Sequence, residues 1–208
     1  MQSANEENIR FPSGTLSLEA RICIPDRATR AAVACHPHPQ YGGEMDNSVV
    51  VATTRALAEH GVATLRFNFR GVGDSEGSYS GNAGEADDAR AAIACLRARL
   101  PDARIALGGY SFGAAMALLG GHADLDVERL FAIALPATMF DLSAIRASVK
   151  PKLFLLGDRD QYCPYAALES VVQGLAGENS LIRLSGADHF LFGCEQEVGE
   201  AVARFVAG

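Results

Sequence analysis

The chain has 208 residues, of which 49% are hydrophobic and 21% charged, a balance that fits a folded globular protein and excludes a disordered or membrane-embedded one. Its formal net charge of −7 offers no basic field to phosphate backbones, so nucleic acid is not an expected partner. The opening residues, Met1 to Glu7, lack the basic start and apolar run of a secretory leader, and no later stretch is apolar enough to cross a bilayer; the expectation is a cytoplasmic protein without membrane association.

No internal repeat, low-complexity tract or linker interrupts the sequence, and residues 1–208 read as one domain. Residues 15–24 alternate apolar and polar, the period of a half-buried strand near a sheet edge, and Pro25-Asp26 marks the turn that ends it. The pattern then changes to short, almost wholly apolar runs at 31–35, 62–67, 104–107, 130–135, 153–156 and 181–184, which predict strands buried on both faces. Helices are predicted at 49–60, 85–99, 112–119, 164–174 and 195–206, with Gly61 and Pro101 standing where the first two should stop. Strand and helix in alternation predict an α/β fold, a mostly parallel central sheet with helices on both faces. Residues 136–150, between two of the strands, are too few to form a lid domain.

The chemistry concentrates where the strand at 104–107 meets the helix at 112–119, through Gly109-Tyr110-Ser111-Phe112-Gly113. Gly-x-Ser-x-Gly in a strand, turn and helix context presents a serine hydroxyl above the sheet, with small neighbours because adjacent chain crosses closely. Such a hydroxyl is a poor nucleophile until a base takes its proton. His189, just beyond the last predicted strand, lies at the same carboxyl edge of the sheet; His60 and His122 read as helix-end residues, and His36 and His38 precede the serine. A carboxylate should orient the base, and both Asp158 and Asp160 leave the end of a strand, with spacing alone not choosing between them.

An oxyanion needs two amide donors. Phe112 N–H, directly after the serine, supplies one by the geometry of the turn; the other should come from the loop His36-Pro37-His38-Pro39-Gln40-Tyr41-Gly42-Gly43. Prolines have no N–H, so His38 is the nearest donor, with Gln40 and Tyr41 as alternatives. Tyr41, Met139 and Phe140 are candidates to line a substrate pocket. No metal is expected: the five cysteines form no Cys-x-x-Cys pair, and a site on His36 and His38 would need Glu44 and Asp46 to converge from a loop that does not specify such folding.

Together these segments resemble the small, lidless α/β-hydrolases of bacteria marked by His-Pro-His-Pro-x-x-Gly-Gly, matched here at residues 36–43, with further similarity at 45–47, 66–77, 109–113 and 186–190. The resemblance implies an α/β-hydrolase fold without a lid, a Ser-His-Asp triad, no cofactor, and hydrolysis of esters or related acyl compounds. It also implies that the acid is the second aspartate of the stretch, Asp160. The expected partner is a small-molecule ester or acyl substrate, handled through an acyl-enzyme on Ser111. Thioesterase, small peptidase and non-turnover ligand sensor are the alternatives, and a homodimer could form through an exposed edge or helix without leaving a mark in the sequence.

Overall fold

The apolar runs become the middle of an eight-stranded sheet. A computed structural model describes residues 6–208, so the part of the leader reading that rests on residues 1–5 lies outside the described residues. The strands are β1 (Glu7–Ser13), β2 (Leu16–Cys23), β3 (Arg30–Cys35), β4 (Ala63–Phe67), β5 (Arg104–Tyr110), β6 (Val127–Ile133), β7 (Lys152–Gly157) and β8 (Asn179–Leu184), in the order β1-β2-β4-β3-β5-β6-β7-β8. Neighbours from β4 to β8 are parallel, and β1 and β2 add an antiparallel edge. Every residue of β4 and β7, and all but the first of β3 and β5, is buried. A sheet covered on both faces has no solvent side to alternate with, which is why these strands read as continuous apolar runs.

The helices are α1 (Ser48–Glu59), α2 (Ala83–Arg99), α3 (Phe112–Gly121), α4 (Tyr165–Gln173) and α5 (Glu195–Ala207). α1 packs on α5, and α2 on α3. α3 is apolar on all sides and almost wholly buried, the expected state of a helix with no polar face. A Cβ at Gly121 would lie 2.8 Å from the side chains of Leu107 and Leu130, so its absence lets α3 lie down on the sheet that carries the serine.

β1 is the element that the periodicity did not predict. Ile9, Phe11 and Ser13 do alternate toward the interior, but Pro12 interrupts the pattern, and proline argues against a central strand. The structure accommodates it because β1 is the edge strand, turned into β2 by a two-residue hairpin whose first residue, Gly14, takes φ +60°. β6 is also displaced from its expected place at 130–135, because Ala134 turns to φ +47° and leads the chain out of the strand while the sequence is still apolar.

The loop after β4 is held by Asp88 of α2, whose fully buried carboxylate accepts hydrogen bonds from Ser13 Oγ (2.6 Å), Arg70 N (3.1 Å), Arg70 Nε (3.0 Å) and Arg70 Nη2 (2.8 Å). One side chain thus ties β1, α2 and the residue 68–77 loop together. Truncating it would strand a mostly buried guanidinium and an amide without an acceptor. Asp88→Ala is expected to lower unfolding stability by roughly 3 kcal/mol, seen as a fall in the urea midpoint with little change in slope.

Candidate active site

Ser111 occupies the turn between β5 and α3 with φ +55° and ψ −117°, backbone that a non-glycine residue adopts only where its surroundings impose it. They do so here. Ser111 N–H donates to Ile133 O of β6 (2.8 Å), and the turn is pressed against the end of β3: a Cβ at Gly109 would lie 2.6 Å from Cys35 O, and one at Gly113 would lie 2.6 Å from the Cys35 carbonyl carbon. The two glycines therefore allow the approach, and the half-buried hydroxyl stands above the carboxyl edge of the sheet.

His189 follows β8 and meets the serine there. Ser111 Oγ lies 2.9 Å from His189 Nε2, and His189 Nδ1 lies 2.7 Å from Asp160 Oδ2. The other carboxylate oxygen of Asp160 accepts from Tyr162 N (2.8 Å) and Cys163 N (2.9 Å), so this acid is fully engaged and buried. Asp158 turns away to accept Gly186 N–H (2.8 Å). The loops bearing acid and base touch directly, since a Cβ at Gly157 would lie 2.7 Å from the Ala187 carbonyl carbon and Arg159 N–H donates to Ala187 O (3.0 Å). Tyr110 Oη donates to His189 O (2.9 Å), and the Tyr162 ring meets the imidazole edge-on at 4.6 Å.

The histidines of the 36–43 loop divide their work. His36 is fully buried; Phe69 N–H donates to its Nε2 (3.0 Å) and its Nδ1–H donates to Pro37 O (2.6 Å). Burial pushes its pKa down to about 4 against the pull of the Pro37 carbonyl, so it is a neutral structural pin. Asn68 pins the far end of the same loop by accepting Met45 N–H (2.7 Å). His38 caps the short helical turn Pro39–Tyr41 by accepting Gln40 N–H at Nδ1 (3.2 Å), and its ring packs on Phe112 at 4.7 Å. Burial also lowers its pKa, which the Glu85 carboxylate partly opposes. The amides of Tyr41 and Gly43 donate to His38 O, and that of Gly42 to Pro39 O. Among the described residues the N–H groups of His38 and Phe112 have no acceptor, whereas those of Gln40 and Tyr41 donate to His38 Nδ1 and His38 O.

A cleft of about 440 Å³ opens over Ser111 and His189. Tyr41, Met139 and Phe140 line it as the sequence suggested, and Tyr162 and Phe190 line it too. No aspartate, glutamate, lysine or arginine is among its lining residues. The 136–150 segment stays against the body through buried Leu142 and Ile145 and does not cover the cleft. The sequence profile of the family described as X-Pro dipeptidyl-peptidase (S15 family) matches residues 13–162. The chain belongs to this S15 family. An uncharacterized protein of Rickettsia prowazekii is 33% identical over 184 residues, covering 84% of this chain and 77% of that protein. Among solved structures, an α/β serine hydrolase homologue from Coxiella burnetii is 32% identical, with a TM-score of 0.88 over 99% of both chains. A serine hydrolase without lid from Xanthomonas campestris is 31% identical, with a TM-score of 0.84 over 100% of this chain and 97% of that one. This S15 member accordingly has the α/β-hydrolase fold and belongs to a hydrolase family.

Two groups beside the base escaped the sequence reading. Tyr162 lies two residues beyond Asp160, and Phe190 directly follows His189; proximity in sequence to the acid and base was the available signal, but aromatic side chains there read equally well as core. Among the described residues no group of three or more His, Cys, Asp and Glu side chains is arranged to hold a metal.

His36 gives the S15 chain a defined pH response. Between its ordinary pKa of 6.5 and the folded value of about 4, the unfolded chain takes up a proton that the native state refuses, so stability is lost as pH falls through that window. The loss should amount to about 3 kcal/mol between pH 7 and 4. Urea unfolding across this range is expected to show it, and His36→Gln, which retains an acceptor for Phe69 N–H, is expected to remove that part of the decline.

Proposed function

We propose that this protein is a carboxylesterase, cleaving uncharged esters of small to medium acyl compounds through an acyl-enzyme on Ser111. The observation that carries the reading is the continuous Ser111–His189–Asp160 relay, 2.9 and 2.7 Å long, opening on a cleft whose lining includes no aspartate, glutamate, lysine or arginine. In the first half-reaction His189 Nε2 accepts the hydroxyl proton as Ser111 Oγ attacks the carbonyl carbon; Asp160 fixes the Nδ1–H tautomer and stabilises the imidazolium. Phe112 and His38 N–H hold the oxyanion. Collapse expels the alcohol with the proton from His189, and water repeats the sequence to release the acid.

The family description supports a second reading, a dipeptidyl-peptidase, whose substrate presents a free amino terminus close to the reacting bond. An ammonium brought into this cleft would lose water without gaining a carboxylate partner. Comparing an Ala-Pro ester with its N-acetylated form separates the two: the capped ester should be favoured by about a hundredfold in kcat/KM, and preference for the free amine would replace the esterase reading with the peptidase one.

A fluorophosphonate should give one adduct, mapped to Ser111 and lost in Ser111→Ala. Ester turnover by Ser111→Ala and His189→Ala should fall by roughly 10⁴-fold with the fold retained, and full activity in either would refute the assignment. The oxyanion role is tested at His38, whose φ of −60° and ψ of 123° suit proline. His38→Ala keeps the amide and His38→Pro removes it. The proline variant should turn over roughly a hundredfold more slowly than the alanine variant while circular dichroism shows both folded.

A further inference from the structure

Directly after the base the chain reads Phe190-Leu191-Phe192, and its burial pattern is inverted from what packing would choose. Leu191 is fully buried, whereas Phe190 is 44% and Phe192 79% exposed, their rings stacked at 6.1 Å and 24°. The backbone is held for this purpose. Leu191 sits at φ +57°, Asp188 Oδ1 accepts Phe190 N–H (2.9 Å), and Leu191 O accepts Cys194 N–H (2.9 Å). Anchoring the turn requires only Leu191. Two aromatic rings displayed beside a catalytic edge, on strained backbone, need another explanation.

Their position supplies it. Resting on the esterase reading above, the acylation step forms the Ser111 Oγ–carbonyl bond and breaks the bond to the alcohol oxygen, and the proton taken from Ser111 passes through His189 Nε2 to that oxygen. The departing alcohol must therefore come within hydrogen-bond reach of His189 Nε2. Three rings flank the imidazole, Tyr162 at 4.6 Å, Tyr110 at 5.9 Å and Phe190 at 6.0 Å; Tyr110 is tied by its hydroxyl to His189 O (2.9 Å), and Tyr162 and Phe190 stand edge to face at 6.5 Å. Both line the cleft, and Phe192, just outside the lining, stacks on Phe190 and supports its ring. His38, Tyr41 and Phe112, around the proposed oxyanion donors, form a separate ring cluster, with His38 packed on Tyr41 at 4.9 Å and on Phe112 at 4.7 Å. We propose that Tyr162 and the Phe190–Phe192 stack form a leaving-group subsite that selects esters whose alcohol carries an aromatic ring.

The test compares benzyl acetate with methyl acetate, which share the smallest common acyl group and have alcohols of similar acidity, so that the ratio of kcat/KM reports recognition of the ring. The wild-type ratio should be roughly ten or more, and Phe190→Ala should reduce it about threefold to tenfold. Phe190→Tyr, which keeps a ring, should retain the ratio, and Phe190→Leu, which keeps apolar surface alone, should lose it. Leu125→Ser, at an exposed apolar residue (99%) outside the cleft, serves as the control and should match wild type. A wild-type ratio near one overturns the subsite, as does an unchanged ratio in Phe190→Ala; in either case turnover of both esters leaves the esterase reading standing. Absence of fluorophosphonate labelling and of turnover with either ester would instead sink that reading and the subsite with it. A ratio near one together with a change of sedimentation in Phe190→Ala would assign the rings to a contact between copies of the chain.

Discussion

Everything at the carboxyl edge depends on how closely the serine turn approaches the end of β3. Gly109 pairs with Cys35 in register, and a side chain at Gly109 or Gly113 would collide with the Cys35 carbonyl group, so the turn and the start of the 36–43 loop are effectively one body. That contact has two consequences. It holds Ser111 at a backbone geometry the residue would not adopt alone, aided by the bond from its amide to Ile133 O. It also fixes the distance between the turn that carries Phe112 N–H and the loop that carries His38 N–H. Ser111 and the two acceptor-free amides are thus positioned by the same van der Waals limit.

Several of the remaining loops are secured by buried polar groups as well as by apolar packing. His36 holds the loop after β3 to Phe69, Asn68 holds the same loop through Met45 N–H, and Asp160 holds its own loop through two amides. A polar group removed from water is costly unless satisfied, and one that is satisfied accepts few alternative arrangements. Loops without regular structure thereby acquire a definite geometry, the property a site needs if its donors and base are to be in place before the substrate arrives. The price is sensitivity to acid, carried most directly by His36.

The legibility of the site in the sequence followed the range of the interactions involved. Strands covered on both faces and the Gly-x-Ser-x-Gly turn are local signals; the serine followed from that turn, and the histidine from its place just beyond the last predicted strand. Asp158 and Asp160 both leave the end of β7; only the closure of the β7 and β8 loops on each other sends one to the imidazole and the other to Gly186 N–H. That closure is a tertiary fact, and spacing could not supply it. The same holds for Tyr162 and Phe190, whose aromatic character was plain but whose exposure was not, and for β1, where Pro12 is tolerated because no further strand lies beyond it. His36 and His38 look alike in sequence, and their opposite fates arise from a Phe69 amide that reaches only the first.

The division between inherited chemistry and local specificity is visible along the chain. The S15 match spans residues 13–162, which includes Ser111 and both aspartates and ends at Tyr162, while His189 and the Phe190–Phe192 stack lie beyond it. The matched part carries β2 to β7, the serine turn and the 36–43 loop. Whether the acyl donor is a peptide or an ester is decided by the surfaces flanking the reacting carbonyl. Here those surfaces are aromatic and uncharged, so discrimination must come from shape, stacking and the cost of desolvating charge rather than from ion pairing. An apolar group of a substrate lying on those rings would also displace water from the relay. Recognition of an apolar leaving group and protection of the relay from solvent then become a single event at His189.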